Sequence, residues 1–82
     1  MGTKRQLTAI IEREAKGFSA LCPELDVASQ GQSVEEAREN LTEAVELFLE
    51  TADPKEIEKR LHGDLFITQL EVVVGLSQGF FG

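Results

Sequence analysis

Hydrophobic and polar positions in the first third of the chain follow a pattern that is typical of short strands. Leu7 to Ile11 is a short apolar run with β-branched residues, and a charged turn ending at Gly17 follows it. Short runs of this kind, bounded by glycine or proline, are typical of strands. The next two runs end at Pro23 and Gly31, neither of which favours a strand interior. The three predicted strands are Gln6–Arg13, Phe18–Cys22 and Val27–Gln30.

After Gly31 the apolar spacing changes to that of an amphipathic helix. Ser33 and Glu36 form a capping box, in which Ser33 is the N-cap and Glu36 reaches back to it. We predict a helix over Val34–Ala52, because its apolar residues recur at steps of three and four. These residues are Val34, Ala37, Leu41, Ala44, Val45, Phe48, Leu49 and Ala52. The opposite, solvated side carries Glu35, Glu39, Glu43, Glu46 and Glu50.

A short second helix and a final strand are predicted beyond this helix. Asp53 and Pro54 are a suitable N-cap and first helical residue, and Gly63 is expected to end the helix. Ile57 and Leu61 form its predicted buried side. The run Leu65–Val74 is rich in β-formers and partly alternates apolar with polar residues, so we predict a fourth strand there.

The order β-β-β-α-(α)-β predicts one α+β domain over residues 1–82, built as a two-layer sandwich. A meander of strands one to three and a right-handed crossover place strand four parallel to strand one, giving the order 3-2-1-4. This order is a truncated, partial ribonuclease-H-like arrangement. Nothing covers the second sheet face, near which we expect Ile67 and Val73 to lie. We therefore predict a homodimer or a larger homo-oligomer, in which Phe80 and Phe81 either pack against a neighbouring subunit or form a disordered tail.

The net charge of the chain restricts the kinds of molecule that it is expected to bind. Among 82 residues, 15 acidic and 8 basic side chains give a formal net charge of −7. Phosphates repel such a chain, so direct nucleic-acid binding is not expected. The charge suits a basic protein partner, although it also serves solubility alone. The sequence shows neither a transmembrane run nor a signal peptide, so we expect a cytoplasmic protein that does not contact a membrane.

Three motifs follow one another within residues 7–52, namely Leu21-Cys22-Pro23-Glu24-Leu25, then Ser29-Gln30-Gly31, then the helix capped at Ser33. Their combination gives this part of the chain a resemblance to the HicB-like antitoxin family. This resemblance implies a partial ribonuclease-H fold without catalytic apparatus, and the antitoxin role in a type II toxin–antitoxin pair. The implied partner is HicA, a small, basic, mRNA-cleaving toxin. Only eight residues follow Val74. That is too short for the C-terminal DNA-binding motif of many such antitoxins, so we do not expect operator binding.

Candidate chemistry in the sequence is sparse, and we expect neither enzymatic activity nor a cofactor. Cys22 lacks a nearby histidine in sequence, and His62 is best explained as the C-terminal residue of a short helix. The carboxylates on or near predicted strands are interpreted as solvated acids or partner contacts. They are Glu12, Glu24, Asp26 and Glu71. A metal-dependent nuclease relic, with metal near Glu12 and Glu71, and an orphan structural or small-ligand module remain as alternatives.

Overall fold

The computed structural model describes residues 5–63 and 65–75, which form an α+β chain of three strands followed by two helices. The predicted order of these five elements is confirmed. The strands are β1 (Ile10–Glu14), β2 (Gly17–Cys22) and β3 (Val27–Gly31), and the helices are α1 (Val34–Thr51) and α2 (Pro54–Leu61).

The three strands form the antiparallel meander that their short connections predict. Strand β2 lies in the centre, with Ile11 opposite Ala20 and Ala20 opposite Ser29. Gly17 begins β2 directly after a two-residue turn and has a φ of 145°, a conformation that glycine adopts without strain. The turn is therefore shorter than the four residues, 14–17, that the predicted strand bounds leave between strands one and two. Strand β1 is shorter than predicted, because residues 5–9 lie before it without ladder pairing.

Helix α1 begins at its predicted cap. Ser33 accepts a hydrogen bond from the Glu36 N–H at 3.0 Å, while the Glu36 carboxylate accepts from the N–H of Gln32, one residue before the cap. Two residues of the predicted apolar stripe, Ala37 and Leu41, are fully buried. Val34 and Leu49 remain 45% and 37% exposed. The core of this chain therefore uses only part of the stripe.

Helix α2 is held by its cap and by Arg60. Asp53 accepts from the Lys55 N–H at 2.8 Å, as a helix N-cap does. Arg60 pairs with Glu56 at 2.8 Å and donates to the carbonyl of Leu25, and its guanidinium lies 4.9 Å from the centre of the Phe48 ring. No residue of α2 is fully buried, so Ile57 and Leu61 are half-buried rather than buried as predicted.

The core lies between one face of the sheet and α1. Its fully buried residues are Ala20, Cys22, Leu25, Ala37 and Leu41. Helix α1 packs mainly on β3 and β2 and least on β1. Within the described residues nothing covers the other sheet face, where Ile10 and Ala28 are exposed. Glu12 and Gln30 lie exposed on that face, opposite Ser19 between them.

The predicted fourth strand is absent from the described part of the chain. Residues 65–75 belong to no helix or strand, and every one of them is exposed. The prediction that Leu65–Val74 forms a strand beside strand one of the same chain is therefore wrong for residues 65–74. High β-propensity is realised only where a neighbouring strand accepts the backbone hydrogen bonds, and no described strand of this chain lies there. The finer ribonuclease-H-like topology depends on that missing strand.

Candidate functional site

Glu24 fastens the segment before β1 to the β2–β3 loop. Its carboxylate accepts hydrogen bonds from the Thr8 N–H at 3.0 and 3.1 Å and from the Thr8 hydroxyl at 2.6 Å. Burial opposes ionisation of this carboxyl, but the two Thr8 donors outweigh it and hold the pKa of Glu24 below its usual value. Glu24 was predicted as a partner contact. Its observed bonds are internal, and they position residues 5–9.

Replacing Glu24 with glutamine is expected to lower the free energy of unfolding by about 1–2 kcal/mol at neutral pH, because charge-assisted hydrogen bonds are lost. Because the pKa of Glu24 is lower in the folded than in the unfolded state, its ionised carboxylate stabilises the fold at pH values above the unfolded-state pKa. That contribution is lost as the pH falls below about 4. Thermal unfolding of wild type and E24Q should therefore differ at pH 7 and converge in acid. The exposed Glu14→Gln is the control, and an equal loss in both variants would contradict the Glu24–Thr8 bonding.

The environment of Cys22 is that of a structural thiol. Its side chain is buried, and its sulfur donates to the Glu24 carboxylate at 3.5 Å. Burial, with the nearby Glu24 carboxylate adding to it, raises the pKa of this thiol. A thiol in such surroundings is a weak nucleophile. His62 lies exposed at the C-cap of α2, which is the place predicted for it.

The other carboxylates named from the sequence are dispersed rather than gathered. Glu12 lies on the bare sheet face, Asp26 in the β2–β3 loop and Glu71 in the exposed segment 65–75. Asp26 has a φ of 57°, a left-handed conformation that aspartate tolerates better than most residues. In residues 5–63 and 65–75, no three His, Cys, Asp or Glu side chains are placed to share a metal ion. The role of Glu12, Asp26 and Glu71 as partner contacts stays a prediction.

The exposed side of α1 carries a row of glutamates, which we call the acidic ridge. All of its members are exposed, and none forms an ion pair with a cation among the described residues. The ridge consists of Glu35, Glu39, Glu43, Glu46 and Glu50. Like charges four residues apart weaken a helix by about 0.2–0.5 kcal/mol per pair, so this row slightly opposes helix formation.

A groove opens between residues 5–9 and the two helices, with a volume of about 830 Å³. The groove is lined by residues 5–9, which lead into β1, and by side chains of α1 and α2, some of which form an apolar wall. The apolar side chains of this wall are Leu7, Leu41, Val45, Leu49 and Leu61. Sequence reasoning missed the groove, because one of its walls, residues 5–9, is bonded through Thr8 to Glu24, sixteen residues away. The sequence offers one local signal in this region, because Glu56 and Arg60 lie four residues apart and can pair along α2. That pair indicates only one end of the helix and not the groove.

The segment 65–75 presents apolar side chains to solvent. Ile67 is 52% exposed and Val73 is 98% exposed. Both were predicted as self-association residues, and their exposure is compatible with that role without testing it. Phe80 and Phe81, the other two predicted self-association residues, lie outside the described residues. No helix in residues 5–63 is both long enough and apolar enough to cross a membrane.

The described residues thus define an α+β chain in which an antiparallel three-stranded meander is covered on one face by a helix. The chain belongs to the UPF0150 family. It is 38% identical to UPF0150 protein ssr1765 of Synechocystis sp. over 71 residues, which cover 82% of this chain and 86% of the relative. It is 40% identical to a UPF0150 protein of Helicobacter pylori over 52 residues, covering 62% and 72%. No family model matches the chain. No solved structure matches it either.

Proposed function

We propose that the chain is a non-enzymatic protein-binding module of the HicB-like antitoxin kind, which binds a small basic mRNA-cleaving protein and blocks its access to RNA. The acidic ridge carries this proposal. It places five exposed glutamates without ion-pair partners, among the described residues, along one helix of a chain with a net charge of −7. The resemblance of residues 7–52 to HicB-like proteins supports the same partner.

Electrostatics explains why such a ridge suits a basic partner. A single-sign row of charges steers an oppositely charged protein during diffusion and raises its association rate. Binding also removes the mutual repulsion of the glutamates, since the partner supplies the missing cations. RNA is also negatively charged, so the same surface repels it. The ridge therefore favours the toxin over its substrate.

Support for a metal-dependent nuclease is weaker. That function needs several carboxylates within a few ångströms of one another. Glu12 and Glu71 are both exposed, one in β1 and the other in a segment outside the sheet. Among the described residues no group of three such ligands forms. Binding of a protein is thus better supported than phosphodiester chemistry.

The function is tested by co-expression and by binding. The product of the gene adjacent to that of this chain is produced with and without the chain, and we expect it to be a small basic mRNA-cleaving protein of the HicA kind. We expect the chain to restore growth and to form a complex with the purified toxin, with an affinity that falls as salt rises. A chain that neither binds nor neutralises that protein would be an orphan module. A chain that itself cleaves RNA with Mn²⁺ would be a nuclease, and either result overturns the proposal.

The ridge is tested with a charge-reversed pair. Glu39→Lys with Glu43→Lys is expected to slow association with the toxin by about tenfold or more, because steering depends on the local field. Glu14→Lys with Glu58→Lys is the matched control, since both residues are exposed outside α1 and the net charge changes equally. Stopped-flow or surface-binding kinetics give the rates, and circular dichroism verifies the fold. Equal slowing in both pairs would show that net charge matters and that the ridge does not.

A further inference from the structure

Residues 65–75 are an apolar segment that lies outside every helix and strand of the described chain and is exposed throughout. Seven of its side chains are large, apolar and exposed, from 47% at Leu65 to 98% at Val73. Its only charged residue is Glu71. A contiguous exposed apolar stretch of this kind marks a surface that another molecule covers. The β-branched and aromatic residues of the segment favour a strand as the bound form.

Strand β1 offers the edge that such a segment needs. In the described sheet it pairs with β2 alone, so its outer N–H and C=O groups have no strand partner. The opposite edge is less open, because Asn40 donates to the carbonyl of Gln30 at 2.8 Å and α1 packs closely on β3. An unpaired edge is a template for strand addition. Of the two edges of the sheet, β1 is therefore the receptive one.

The groove lies against residues 5–9, which lead directly into β1, and it matches one side of the segment. A strand added there directs alternate side chains towards Leu7, Val45 and Leu49, which line the groove. The more apolar alternate set of the segment consists of Phe66, Thr68, Leu70, Val72 and Val74. The other set contains Gln69 and Glu71 and suits the bare sheet face, which already carries Glu12. The chain thus holds both a donor strand and an acceptor groove.

We propose that residues 65–75 of one copy add as a strand to the β1 edge of a second copy, with their apolar set in its groove, and that the exchange is reciprocal. In its own chain the segment is exposed throughout, and the groove stays open. Every copy carries the same donor and acceptor, so a two-fold pair satisfies both at once. Such a pair also enlarges the core of a chain that is small for independent stability. This inference does not depend on the toxin proposed above.

The first test measures mass and amide protection of the unmodified chain. Sedimentation equilibrium at micromolar concentrations is expected to give twice the chain mass. Amides of residues 65–75 and of the β1 edge are expected to exchange more slowly at high than at low concentration. A single-chain mass overturns the proposal. If the chain is monomeric and the amides of residues 65–75 are protected, the segment pairs with the sheet of its own chain. If the chain is monomeric and these amides are unprotected, the binding partner of the segment is a different protein.

The second test uses two matched pairs of variants. Val72→Pro removes a backbone donor from the strand and is expected to raise the dimer dissociation constant by about a hundredfold or more, while Val72→Ile retains the dimer. Leu49→Asp places a charge in the groove and is expected to weaken the dimer similarly. Leu47→Asp is its control, because Leu47 is 60% exposed and does not line the groove. Unchanged dimers of both V72P and L49D, with helical circular dichroism retained, would place the interface elsewhere.

Discussion

Replacing Gly31 with alanine is expected to lower the free energy of unfolding by about 3 kcal/mol or more, because α1 packs directly on the backbone of β3 at this residue. A Cβ atom at position 31 lies 2.5 Å from the Ala37 nitrogen and 2.8 Å from the Glu36 carbonyl carbon. These neighbours are backbone atoms of a capped helix, so they move only if α1 moves. Ala37 is itself fully buried, and its displacement opens the core.

Thermal unfolding measures this effect against a neutral glycine substitution. A loss of that size lowers the melting temperature of a domain this small by roughly 12 °C or more. Gly63→Ala is the control, because its Cβ makes ordinary contacts of 3.5 and 3.6 Å with Arg60 and Lys59 carbonyl oxygens. We expect G63A to be unchanged or slightly more stable. A melting temperature of G31A within a few degrees of wild type would contradict the close approach of α1 to β3.

Local signals in the sequence were sufficient to predict five elements of the fold. Ser33 and Asp53 are helix caps in the structure as predicted, because a side-chain acceptor beside a helix start acts within a few residues. The strand–turn–strand pattern and Gly17 likewise predicted the hairpin. Each of these features depends on neighbours in the chain. That is why periodicity and capping residues were enough to find them.

Features that depend on distant partners could not be predicted in this way. The Thr8–Glu24 bonds join residues sixteen positions apart, and neither residue type signals the other. Arg60 reaches the carbonyl of Leu25, thirty-five positions away. Leu65–Val74 shows the converse. Its composition is apolar and rich in β-formers, but a strand also needs an edge to pair with, and composition alone does not supply one.

The β2–β3 loop connects the core to the groove through Leu25. This leucine is fully buried, although it lies in a loop, and its carbonyl accepts from Arg60 of α2. The neighbouring Glu24 holds Thr8 and therefore the segment that forms one wall of the groove. Burial of the Leu25 side chain in the core attaches this loop to the sheet and to α1. The acceptor groove thus depends on core packing as well as on surface residues.

Leu25→Ala is accordingly expected to lower the free energy of unfolding by about 2–5 kcal/mol, the usual range for a fully buried leucine. The backbone bonds of residue 25, from its N–H to the Cys22 carbonyl at 3.3 Å and from Arg60 to its own carbonyl, do not require the leucine side chain. The loss therefore reports on side-chain packing. Chemical denaturation measures it, and we expect residues 5–9 to exchange amide hydrogens faster in L25A than in wild type.

Leu47→Ala makes the same chemical change at a residue that is 60% exposed in α1, so we expect a change within about 0.5 kcal/mol. Equal losses in L25A and L47A would contradict the burial of Leu25. A large loss of unfolding free energy in L25A without faster amide exchange in residues 5–9 would show that core packing does not hold the wall of the groove in place. Loss of both together, with weaker self-association, would show that the packing of one loop leucine maintains the surface on which a second copy is proposed to dock.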